Sequence, residues 1–84
     1  MGVTNSIWDL DDDPEGNVQH IAEHGISKAE VEEVLRSPTG IESSRSSQRP
    51  IAFGVTSTGR LIAVVYEAVD EDTAYPITAF EVEL

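Results

Sequence analysis

Between positions 17 and 35 the apolar residues recur at helical spacing and are interrupted once, at a glycine. Val18, Ile21 and Ala22 fall at i, i+3 and i+4 and make the narrow apolar stripe of a first helix. Asp13 is its expected cap, with Pro14 at the first helical position, where a missing N–H costs nothing. Asn17, His20 and His24 share another stripe, with His20 nearly opposite the core and His24 at its margin. Gly25 suits the left-handed residue that ends a helix, and it brings Ile21 and Ile26 together as the apolar pair of such an ending. Ser27 then caps a second helix, Glu30 completes a capping box, and Ile26 with Val31 forms a hydrophobic staple. That helix buries Val31, Val34 and Leu35, with Ala29, and stops before Pro38. Glu30, Glu32 and Glu33 are left facing water.

The period changes on either side. Residues 1–6 read as a loose terminus, and Ile7–Leu10 as a short edge strand with Trp8 as a large anchor. Ile41 marks another short strand in a polar, serine-rich stretch. From Pro50 to Thr56 the chain alternates, with Ile51, Phe53 and Val55 on one side and Ala52, Gly54 and Thr56 on the other. Ser57-Thr58-Gly59 is a hairpin connection with glycine where a bulge needs it. Leu61–Tyr66 is apolar on both sides, which predicts a central strand covered by helices on at least one side. The last strand is expected at Tyr75–Val82, with Pro76 near its start or at an edge. The fold class is therefore α+β, a single domain over residues 1–84: a short N-terminal strand, two helices, then a three- to four-stranded antiparallel sheet.

Composition narrows the function classes. Sixteen acidic residues against five basic ones give a net charge of −11, which repels nucleic acid at long range and favours a basic protein partner. The chain has no cysteine, hence no disulfide or thiolate chemistry. It has neither a signal-peptide pattern nor an apolar run of about 18 residues, so a soluble, cytoplasmic protein with no membrane association is expected. Asp9, Asp11 and Asp13 have the spacing of a calcium loop, but Pro14 and His20 stand where that loop needs glycine and glutamate. An acidic turn at a helix start is the expectation. His20 to His24 spells H-x-x-E-H, a zinc-hydrolase signature, in a chain too short for the cleft such enzymes need. Neither metal nor cofactor is expected.

The order of elements and several short motifs resemble the BrnT family of toxins, which share the RelE-like toxin fold. The residues concerned are Trp8-Asp9, Asn17, His24-Gly25-Ile26, Glu30 to Leu35, Arg49, Gly54, Gly59-Arg60, Leu61 to Tyr66 and Ile77-Thr78-Ala79. Glu23 replaces the family's usual lysine, Phe80 its usual arginine, and no basic C-terminal helix precedes Leu84. The resemblance implies a member of a toxin–antitoxin system, with metal-independent RNA cleavage as its activity and a small DNA-binding antitoxin as its partner. Arg49 and Arg60 would then bind phosphate with Arg45 assisting, provided Arg60 lies near Arg49. His24 would be the acid or base, since its ordinary pKa of about 6.5 suits neutral pH. Tyr66 and Tyr75 are candidates for base stacking, although strand ends commonly carry tyrosine. The alternative is a non-catalytic acidic interaction module on the same fold, binding a basic protein through the glutamate-rich second helix.

Overall fold

Two helices, α1 (Asn17–Glu23) and α2 (Lys28–Arg36), pack on one face of a sheet in the computed structural model, which describes residues 3–43 and 49–83. The turn between them forms as its local sequence dictates. Gly25 takes φ +76°, its N–H bonds Ala22 O at 2.9 Å, and Ile26 N–H reaches back to Ile21 O at 3.4 Å. Those two bonds satisfy carbonyls that the end of α1 would otherwise leave unpaired. Ser27 caps α2 in a reciprocal capping box with Glu30. The start of α1 differs from expectation. Its N-cap is Gly16, not Asp13, and Asp13 instead accepts the Glu15 N–H at 3.0 Å in the preceding turn.

Among the described residues the sheet has five strands: β1 (Asn5–Ser6), β2 (Gly40–Ser43), β3 (Pro50–Val55), β4 (Leu61–Ala68) and β5 (Thr73–Glu81). Their order is β1-β5-β4-β3-β2, so β4, the strand apolar on both sides, is in the middle. The fold is α+β, but the sheet is mixed, because β1 runs parallel to β5 while the other pairs are antiparallel. The strand expected at Ile7–Leu10 lies instead at Asn5–Ser6, within the segment expected to be loose. That segment is held by Val3 N–H on Leu35 O at 2.6 Å and by Asn5 N–H on Asp72 O at 2.8 Å. Trp8 packs at the margin of the core, and its indole N–H donates to Glu32 at 3.0 Å.

Burial decides which side of β3 faces the helices. Ala52, Gly54 and Thr56 are buried beneath them, whereas Ile51 and Phe53 are half-buried and Val55 is exposed. The core is built from Ile21, Ile26, Val31, Val34 and Leu35 of the helical layer against Ala52, Ile62, Val64, Tyr66, Ala74 and Ala79 of the sheet. Small residues of β3 and β5 lie under branched residues of the helices, and this alternation lets the two layers approach closely.

Candidate functional site

Arg60 begins where the β3–β4 hairpin ends, with Gly59 at φ +86° and the Thr56 N–H bonded to Arg60 O at 2.8 Å. Side chains alternate along a strand, so Arg60 shares the helix-facing side of β4 with Ile62 and Val64. Its Nη1 donates to both Glu30 oxygens, at 2.8 and 3.1 Å, and to the Gly25 carbonyl at 3.2 Å. Nη2 and Nε donate to Glu81 at 3.1 and 3.3 Å. The guanidinium pKa is raised, first by hydrogen bonding to Glu81; burial opposes the rise, and hydrogen bonding to Glu30 and the charges of both carboxylates add to it. One guanidinium therefore ties together the turn after α1, the first turn of α2, and strands β4 and β5. Two carboxylates surround that single positive charge, and a phosphate arriving there would have to displace them.

The other residues of the expected phosphate site do not gather around Arg60. Ile51 pairs with Val65 and Val55 with Leu61. Arg49, ahead of Ile51, is thus at the opposite end of the hairpin from Arg60, roughly 20 Å away along the strands. The expected condition, Arg60 near Arg49, is not met, because antiparallel pairing separates two residues that each precede their own strand. Arg45, with Ser44, Ser46 and Ser47, lies outside the described residues. His24 is the exposed C-cap of α1, and its ring meets that of His20 edge-on at 5.4 Å between centroids. Its backbone is one residue from the carbonyl that Arg60 holds. Glu23 lies 4.0 Å from His20. Among the described residues no three His, Asp, Glu or Cys side chains converge as a metal site.

The glutamates of α2 are also committed, contrary to the expectation that they face water. Glu30 bonds Arg60 and the Ser27 N–H, Glu32 accepts from Trp8, and Glu33 accepts the Ser57 N–H at 2.9 Å. Each reaches a group far along the chain, which periodicity within a helix cannot reveal.

A polar network that sequence reasoning missed centres on Asn17. Placed on the polar stripe by periodicity, it is 4% exposed. Its Nδ2 donates to Ile7 O at 3.0 Å and Pro76 O at 2.9 Å, and its Oδ1 accepts the Asp9 N–H at 2.9 Å. Asp9 Oδ2 returns the bond from the Asn17 N–H at 2.9 Å and accepts from the Tyr75 hydroxyl at 2.7 Å. The Tyr75 bond, then the backbone bond from Asn17, holds the Asp9 pKa below its ordinary 3.8, and the same carboxylate, with burial, raises that of Tyr75 above 10.0. Tyr66 is buried in the core, which raises its pKa as well and leaves no ring face open to a base. The network does the work of a missing strand. β1 pairs with β5 only at Thr73 and Ala74, and Asn17 satisfies the Pro76 carbonyl just beyond. Asp9 and Asn17, motif residues by resemblance, are thus joined in one structural tether.

The face of the sheet away from the helices is apolar. Cross-strand pairing places Ile51 beside Val65, Phe53 beside Ala63, Val55 beside Leu61, and Ala63 beside Phe80. Val55 is 56% exposed and Phe80 41%. No helix of the described residues is long and apolar enough to cross a membrane. Comparison of the chain with models of protein families, with curated proteins and with solved structures finds no match.

Proposed function

We propose that this chain is a non-catalytic, acidic protein-interaction module on a BrnT-like, RelE-like fold, acting in the cytoplasm and binding a basic protein. The observation that carries the proposal is the state of Arg60. Its guanidinium is enclosed by Glu30 and Glu81 and fastened to Gly25 O, at the far end of the hairpin from Arg49. Cleavage of RNA without a metal needs cationic groups converging on one phosphate to stabilise developing charge. Here the cation nearest the His24-Gly25 turn is already balanced by two carboxylates, in a chain of net charge −11. A basic partner suits that charge, and a small DNA-binding antitoxin is the partner that the BrnT resemblance implies.

The toxin reading has one observation on its side. Arg60 touches the carbonyl of the residue after His24, so the guanidinium is held beside the backbone of a residue able to act as acid or base. Controlled expression in bacteria, followed by growth and bulk RNA integrity, separates the two readings, together with incubation of purified protein with RNA. Normal growth and intact RNA, from protein shown to be folded, are expected. RNA breakdown that is abolished in His24→Ala would establish the ribonuclease and remove the module.

A further inference from the structure

We propose that the helix-free face of the sheet is the docking surface for a cationic amphipathic helix of a partner protein; this rests on the interaction-module reading and says where that module binds. An antiparallel sheet covered on one side ordinarily carries polar residues on the other. Here β3 does the reverse. Its small residues Ala52 and Gly54 lie under α2, and its large ones, Ile51, Phe53 and Val55, point away from the helices. The pairing of β3 with β4 and of β4 with β5 joins them to Val65 and Phe80 in one surface spanning three strands. Val55 and Phe80 are exposed there and Ile51, Phe53 and Val65 partly so, and apolar surface left open in this way marks a place where a protein binds another. It offers side chains, not free backbone groups, so it suits a helix packed on the sheet, as α1 and α2 pack on the other side.

Charge selects the occupant. Glu42 is paired with Ile51, and Glu67 follows Val65 by two positions, so both carboxylates stand on this face and flank the Ile51–Val65 pair. The acidic turn containing Asp70, Glu71 and Asp72 follows β4 at the same end, where Arg49 is the cation just ahead of β3. Arg60 is turned to the opposite side. Two copies meeting through this face would bring together two chains of net charge −11 each, whereas lysines or arginines beside the apolar stripe of a helix would meet carboxylates.

The test uses the whole chain, labelled with ¹⁵N, and a synthetic helical peptide of roughly 18 residues, about five turns. Its leucines are spaced i, i+3, i+4 and its remaining positions are lysine; a second peptide has glutamate in place of lysine. Amide shifts are expected at residues 51–55, 63–65 and 78–80, with the glutamate peptide at least about tenfold weaker. Phe53→Ser/Phe80→Ser is expected to weaken the lysine peptide about tenfold or more. Val55→Thr/Phe80→Thr, which changes only exposed positions, supplies the same comparison with little threat to folding. Glu42→Gln/Glu67→Gln is expected to reduce the salt dependence of binding. Shifts confined to the helices or to the 70–72 turn, or indifference to these variants, would overturn the surface while leaving a module that binds elsewhere. Concentration-dependent dimerisation with shifts at the same strand residues would overturn the occupant in favour of a second copy. RNA cleavage by the same preparation strikes at the module itself, so the two failures are told apart.

Discussion

Val34 of α2 rests directly on Gly54 of β3: a Cβ at position 54 would lie 3.2 Å from Val34 Cγ1 and 3.4 Å from Val34 Cα. The separation of helix and sheet is set at this point by a missing side chain. Gly54→Val is therefore expected to lower stability by about 1–3 kcal/mol, the range typical of overpacking a closed core. Gly54→Ala should cost less, and pairing it with Val34→Ala should recover part of the loss, because the two residues are in contact and their effects do not add. Urea unfolding of the three variants gives the comparison. Equal stability of wild type and Gly54→Val would mean that α2 does not lie this close to β3.

Asn17 is expected to be among the least replaceable polar residues. Asn17→Ala leaves the carbonyls of Ile7 and Pro76 and the Asp9 N–H without their partner, in a place where the Asn17–Pro76 bond is buried. The expected loss is roughly 2–4 kcal/mol, since unsatisfied buried groups cost more than the bonds they replace contribute. Asn17→Asp should be no better at neutral pH, because it sets a carboxylate against two carbonyl oxygens and beside Asp9. Thermal unfolding monitored by circular dichroism measures both, and a neutral Asn17→Ala would remove the tether from the account of the fold.

The Asp9–Tyr75 bond gives a pH dependence with a definite sign. Asp9 has a lowered pKa in the folded chain, so its contribution is present above its ordinary 3.8 and is lost as pH falls through the folded value. Tyr75 has a raised pKa, so its contribution is present below 10.0 and is lost as pH rises through the folded value. The contribution of this pair to stability should therefore form a plateau between about pH 4 and pH 10 that falls on both sides. In Tyr75→Phe both shoulders should shrink, because the bond is the leading cause of both shifts. Denaturant midpoints across the pH range provide the check, and unchanged shoulders in Tyr75→Phe would dissociate the pair from the pH response.

Legibility in the sequence follows the distance over which each interaction acts. The Ile21–Gly25–Ile26 ending and the Ser27–Glu30 capping box join residues three to five apart, and the chain displays them directly. The alternation of β3 is equally plain, but which side meets the helices is not. Hydrophobicity alone would turn Phe53 inward, whereas the close approach of Val34 requires the side carrying Gly54. The separation of Arg49 from Arg60 is hidden for a related reason. Arg49 and Arg60 each precede a strand, and only the antiparallel register tells that these starts lie at opposite ends. Periodicity assigns Asn17 to the polar stripe, since it cannot anticipate an amide standing in for a strand. The pairings of Glu32 with Trp8 and of Arg60 with Glu81 span more than twenty residues, and no local pattern announces them.

Arg60 and His24, neighbours in the candidate site, should separate cleanly in their effects. Removing the guanidinium leaves Glu30 and Glu81 facing each other and frees the Gly25 carbonyl, so Arg60→Met should lower the melting temperature by a few degrees. Because both ion pairs are partly solvated, the loss should diminish in salt, and Glu81→Gln in the same chain should restore part of it by relieving the repulsion. His24 is exposed and caps α1 through its backbone, so His24→Ala should stay within about 0.5 kcal/mol of wild type. This asymmetry decides how any activity assay is interpreted. A change of function in an Arg60 variant can come from a loosened turn between α1 and α2, whereas a change in His24→Ala cannot. Calorimetry of both variants at low and high salt, run beside the RNA incubation, is expected to show a salt-dependent loss for Arg60→Met, none for His24→Ala, and intact RNA in every sample. Destabilisation by His24→Ala equal to that of Arg60→Met would instead place the imidazole among the contacts that hold the turn.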